Sequence, residues 1–279
     1  MDAARGVLPR LGVPEVELHA RMSRGVAAIV DECSAHGSPN DQHWLSYVLH
    51  EPAGAHEGLM GEPERVGQRL PYFVAHPCAA AAGLSEAHVV ALRWFTSPAF
   101  ESLNGPLRAL QASGRANAPH PFAATVAFLA EGLRRLRRPD AVGTGADTGS
   151  ATSSTGAVNA ASAAKPSQRL WRGMRNVTAP GAFVRMGGTE LALLSCTSDL
   201  ATAARFTSSG ASMLFLVNAR SFMQRGASLR FLSCFPAEDE YCYPPCTFLR
   251  PTGRCQHVDL GLGSGLRCVV LEVAPYVGS

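Results

Sequence analysis

Phe235-Pro236-Ala237-Glu238-Asp239-Glu240-Tyr241-Cys242-Tyr243-Pro244-Pro245 holds three acids between an apolar run and a Pro-Pro stop. The run ahead of it, Leu229 to Phe235, reads as a strand with Phe231 and Phe235 on one side of the pleat. Side chains two apart on an extended chain point the same way. Glu238 and Glu240 are therefore expected to face one space, with Asp239 turned away. Two carboxylates so close repel, and such a pair calls for a cationic partner or a raised pKa. The plain alternative is a solvated turn between two strands, and the rest of the chain has to decide.

Working upstream, two more strands carry polar residues where apolar ones are expected. Arg172 sits within Leu170-Trp171-Arg172-Gly173-Met174, and Ser195 opens Ser195-Cys196-Thr197-Ser198 after the apolar Leu191 to Leu194. Leu170, Arg172 and Met174 share one face by the strand period, with Trp171 on the other. Ser198 is placed to cap a short helix through Leu200, Ala203, Ala204 and Phe206. Met213 to Val217, Tyr241 to Leu249 and Leu266 to Val273 read as further strands.

The N-terminal half reads as helical. Leu18, Met22, Val26, Ile29 and Val30 recur at helical spacing, and residues 50–71 look irregular. Ser85, Glu86 and His88 open a helix that carries Val89, Val90, Leu92 and Trp94. Ser97-Pro98 starts the next, with Phe100, Leu103, Leu107 and Leu110. Phe122, Val126, Leu129, Leu133 and Leu136 give the clearest helix of the chain. Residues 141–168 differ: Ala, Gly, Ser and Thr fill 21 of the 28 positions, a composition that cannot bury enough apolar area to offset chain entropy, as in a disordered insert or linker. Helices first and strands later argue an α+β fold, not a wound α/β sheet.

Composition removes other classes. The net charge of +3 over 279 residues is too mild to argue for nucleic acid. The four arginines Arg134, Arg135, Arg137 and Arg138 close a helix, where cations suit the dipole. No apolar run approaches the ~20 residues of a membrane span, and Pro9, Gly12 and Pro14 interrupt any signal-peptide core. The chain reads as soluble and cytoplasmic. Of eight cysteines, Cys234, Cys242, Cys246 and Cys255, with His257, raise zinc. Structural zinc favours tight pairs, which only Cys242 and Cys246 approach, so reduced thiols and no metal are expected. Neither Gly-x-Gly-x-x-Gly nor Gly-x4-Gly-Lys-Ser/Thr occurs, which removes two routes to nucleotide binding.

The order Arg172, then Ser195-Cys196-Thr197-Ser198, then Glu238-Asp239-Glu240 resembles the arginine-specific mono-ADP-ribosyltransferases of the R-S-E class. Gly187-Gly188-Thr189-Glu190-Leu191 ahead of the serine motif and Tyr243-Pro244-Pro245 after the acids also match. Phe95-Thr96 through Leu103-Asn104 and Leu107-Arg108 look like that family's helical lead-in. The resemblance covers roughly residues 85–275 and departs at Cys196, where Thr is common, and at the insert. It implies residues 1–84 as a helical or irregular region and 85–279 as a catalytic domain with a core of two packed β-sheets, interrupted at 141–168.

It further implies transfer of ADP-ribose from NAD+ to arginine on an acceptor protein, with NADP+ left open and no tightly bound cofactor. Glu240 would face the oxocarbenium-like ribose, as carboxylates do in glycoside hydrolysis. Glu238 would bind the incoming guanidinium and help remove its proton. Arg172 would clamp a phosphate, Gly173 would let backbone approach the nicotinamide amide, and Ser195 would fix the Glu240 rotamer. Phe206 would either wall the nicotinamide or pack in the core. An NAD glycohydrolase, or an inactive binding module of the same fold, are the alternatives.

Overall fold

In the computed structural model, residues 8–50, 67–113, 118–138, 167–207, 212–259 and 267–278 are described. The expected insert at 141–168 lies almost wholly outside them, as does most of the irregular stretch 50–71. The helices are α1 (Glu15–Met22), α2 (Val26–His36), α3 (Pro39–His50), α4 (Leu70–Val74), α5 (Pro77–Ala81), α6 (Glu86–Phe95), α7 (Phe100–Ser113) and α8 (Ala123–Leu136). Two short ones follow among the strands, α9 (Gly181–Met186) and α10 (Leu200–Arg205). The strands are β1 (Gln168–Arg175), β2 (Gly188–Glu190), β3 (Leu194–Thr197), β4 (Ser212–Ala219), β5 (Ala227–Ser228), β6 (Glu240–Tyr243), β7 (Thr247–Asp259) and β8 (Arg267–Tyr276). The fold is α+β. No described helix is long and apolar enough to cross a membrane.

The helical layer is organised on α6. Ser85 caps it, and His88 Nδ1 accepts the Ser85 backbone N–H at 3.1 Å, closing a capping box with histidine in the usual Glu position. Ala87 through Phe95 are all buried, because α2, α3, α4, α7 and α8 pack around it. The N-terminus of α8 is capped from α2. Glu32 Oε1 accepts Ala124 N at 2.8 Å, and Oε2 accepts Thr125 N and Oγ1 at 3.0 and 2.8 Å. The single helix expected across Leu18 to Val30 is two, because Gly25 at φ 60° breaks the chain between α1 and α2.

The strands form one hydrogen-bonded ladder in the order β2-β7-β8-β4-β1-β3-β6-β5, with β4 and β8 parallel and the other pairs antiparallel. A single register pair, Trp171 opposite Thr197, joins β1 to β3. The two packed sheets that the resemblance implied are instead one continuous eight-stranded sheet, of which this seam is a joint. The strands on either side of the seam feed one core: Leu194, Cys196 and Tyr243 from one side meet Leu170, Phe215, Val217, Leu271 and Val273 from the other. The opposite face of the β3–β6 pair belongs to the helices, since Cys242 packs in the helical core with Ala192 and Leu193.

Two strand assignments change. Tyr241 to Leu249 is two strands, split at Pro244, Pro245 and Cys246, the last at φ 66°. Leu229 to Phe235 is not a strand but a turn, with Ser233 N donating to Leu229 O at 2.8 Å. Its apolar residues are consumed by the helical core, where Leu229, Leu232 and Cys234 are buried. Arg93 of α6 docks this turn. It is 1% exposed, its Nη1 donates to Leu232 O at 2.9 Å, and its guanidinium lies 3.5 Å above the Phe73 ring. Arg93→Met removes the donor and leaves the buried Leu232 carbonyl unpaired. The variant is expected to lose about 1–3 kcal/mol in chemical denaturation; an unchanged midpoint would contradict this role.

Candidate active site

Directly opposed residues of an antiparallel pair share a face. Ser195 opposes Cys242 and Thr197 opposes Glu240, so Ser195, Thr197, Glu240 and Cys242 all lie on the face of the β3–β6 pair turned to the helices. Cys242 is covered there. Ser195 and Glu240 stand where the covering ends, and they meet diagonally: Ser195 Oγ donates to Glu240 Oε1 at 2.6 Å. Trp171 opposes Thr197 across the seam and continues this face. Arg172 Nη1 reaches the same strand and donates to Ser195 O at 2.8 Å.

Glu238 and Glu240 do reach one space, but not by the strand period. Pro236–Glu238 is a 3-10 turn, and Asp239 follows it in the left-handed region at φ 43° before β6 begins at Glu240. This kink carries the Asp239 carboxylate to Ser198 Oγ, which donates to it. Thr197 Oγ1 holds the turn by donating to Glu238 O. Ser198 is thereby taken from the helix it was expected to cap. Asp199 caps α10 instead, accepting Ala201 N at 3.0 Å and Thr202 N at 2.9 Å.

These groups line a pocket of about 320 Å³, with Arg172, Gly173, Ser195, Phe206, Glu238 and Glu240 all in its wall. Every candidate site residue of the sequence reading is thus brought together. Phe206 is 39% exposed and lines the pocket, so it is not a core side chain. Gly173 has a packing cause: a Cβ there would stand 2.0 Å from Ala203 O, so only glycine lets α10 close on β1.

In the sequence, Asn104 and Arg108 stand out only as part of a helical lead-in. Both line the pocket from α7. Asn104 ties α7 to the approach of β3, accepting Leu193 N at 3.0 Å and donating to Leu193 O at 3.3 Å. Arg108 lies 3.6 Å from Glu190. Burial, then the Arg172 charge, push its pKa down. The available signal was spacing: Phe100, Asn104 and Arg108 stand four apart on one helix face.

The two acids differ in setting. Glu240 is buried, and burial raises its pKa to about 7. The Ser195 hydrogen bond opposes that rise, Glu238 adds to it, and Arg172 opposes it. Glu238 is more exposed, its pKa is raised by burial, and Arg205 opposes the rise.

No protein-family model matches the chain, and no curated protein matches it. Solved structures similar to it include Exoenzyme S from Pseudomonas aeruginosa, crystallised with human 14-3-3 protein beta and carba-NAD (17% identity over 88% of this chain and 87% of that one, TM-score 0.44). The ADP-ribosyltransferase HopU1 of Pseudomonas syringae shares 16% identity over 85% of this chain and 98% of that one (TM-score 0.48). A eukaryotic mono-ADP-ribosyltransferase, ART2.2, in complex with NADH shares 12% over 99% and 87% (TM-score 0.49).

The raised pKa of Glu240 makes a stability prediction. The folded chain holds this proton more tightly than the unfolded one, so the contribution is full below the unfolded value of 4.5. It is lost as pH rises from there through about 7. Glu240→Gln has no proton to lose. The Tm of the variant relative to wild type is therefore expected to rise between pH 5 and pH 8. A difference independent of pH would mean that Glu240 ionises as an ordinary surface carboxylate.

Proposed function

We propose that this pocket binds NAD+ and transfers its ADP-ribose to arginine side chains of acceptor proteins, releasing nicotinamide. The observation that carries the reading is the hydrogen bond from Ser195 to the buried Glu240, with Glu238 lining the same pocket. A buried carboxylate placed this way, with its rotamer held by a hydrogen bond, stabilises positive charge that develops at a reacting carbon more than it stabilises the ground state.

The surrounding residues suit this substrate. Arg172 and Arg108 line one pocket and supply two cations for a diphosphate. Phe206 and Phe100 are partly exposed there and offer flat apolar surface to a planar ring. In the reaction the ribose–nicotinamide bond breaks, and its electron pair leaves with nicotinamide. Glu240, ionised, faces the resulting oxocarbenium ion. Glu238 holds the acceptor guanidinium and takes its proton as the nitrogen bonds to the ribose carbon. A guanidinium is protonated at any physiological pH and is a poor nucleophile without such a base.

The test is incubation with labelled NAD+ and agmatine, a small guanidino acceptor. Label is expected on agmatine, and Glu240→Gln is expected to lose on the order of 10²–10³ in rate. Label released only as free ADP-ribose would favour the glycohydrolase reading. No cleavage of NAD+ by wild type would overturn the enzyme reading altogether.

A further inference from the structure

Glu238, the acid assigned above to the acceptor, already faces a guanidinium. Arg205 at the C-terminal end of α10 places Nη2 4.0 Å from Glu238 Oε1. The same nitrogen donates to Thr202 Oγ1 at 3.1 Å. Thr202 spends its own hydroxyl proton on Asp199 Oδ2 at 2.7 Å, so its lone pairs are left to face Arg205. The backbone that carries Arg205 is fixed, since Asp199 caps α10 and Gly173 lets Ala203 close on β1. Its side chain stays accessible: Arg205 is 68% exposed and Glu238 is 36% exposed.

The geometry points to Arg205 as an internal placeholder for the acceptor, a guanidinium of the chain itself that occupies the Glu238 subsite until a substrate arginine displaces it. The inference rests on the proposed transfer to arginine. An incoming guanidinium takes up the charge pairing with Glu238 that Arg205 gives up at 4.0 Å, so binding is an exchange and not a simple gain. Partly exposed ion pairs are weak, which keeps the placeholder displaceable, and its effect belongs in acceptor affinity and not in bond breaking. Acceptors that present a second favourable contact would be favoured over free guanidino compounds, because they compete better with a tethered rival.

Arg205→Gln is expected to lower the KM for agmatine about two- to fivefold at low salt, the range an exposed ion pair supports. The kcat and the hydrolysis of NAD+ without acceptor should stay at wild-type values. The gain should shrink in high salt. Arg220→Gln removes the same charge from a pair with Glu272 and is expected to change nothing, which separates local exchange from a general pull on a cationic acceptor. Agmatine binding to the chain saturated with a non-cleavable NAD analogue, followed by NMR titration, reads the same exchange without turnover. Equal affinity in wild type and Arg205→Gln, or an equal gain in Arg220→Gln, would overturn the placeholder. Absence of agmatine labelling by wild type would instead strike the transfer reading, and the titration would still decide the role of Arg205.

Discussion

The structure turns on the burial of one carboxylate. Glu240 sits at the start of β6 on the face that the helices cover, yet at the point where their cover stops. Burying it pushes its pKa to about 7 and costs stability whenever it is charged. Ser195 offsets part of that cost by its hydrogen bond and Arg172 by its charge, and Arg172 also holds the Ser195 carbonyl of β3. The seam between β1 and β3 is therefore the joint that assembles the site, and it consists of a single register pair.

The helical half works as the mould for this joint. Arg93 fixes the turn that leads to Glu238, Thr96 Oγ1 accepts Cys234 N at 2.9 Å in the same turn, and Asn104 fixes the approach to Ser195. Three side chains from α6, its C-terminal cap and α7 thus set the positions of two strand motifs more than eighty residues away in sequence. On the other side, α10 closes over β1 because Gly173 has no side chain to refuse it. The pocket lies between these two supports.

Much of this was legible in the residues. The helices α6, α7 and α8 follow from apolar spacing and the Ser85 cap, and the polar interruptions at Arg172, Ser195 and Glu240 marked the strands that meet. The failures are equally physical. Leu229 to Phe235 alternates no differently from a buried strand, and nothing local tells that α6 would absorb its side chains. The strand period gives Glu238 and Glu240 a shared direction, but a 3-10 turn and a left-handed Asp239 are what produce it. Glu32, Arg93 and Arg205 act through partners distant in sequence or through a helix end, and a single chain gives no local sign of such pairings.

The central claim is a division of labour between two acids in one pocket, and Glu238→Gln tests it most directly. Gln can still accept a hydrogen bond from a guanidinium but carries no charge and takes no proton. Free ADP-ribose and ADP-ribosyl-agmatine, quantified from the same reaction, are the readout. The account predicts that the agmatine product collapses while part of the water product survives, since water needs less activation against a cation. Equal loss of both products, or undiminished labelling of agmatine, would contradict it.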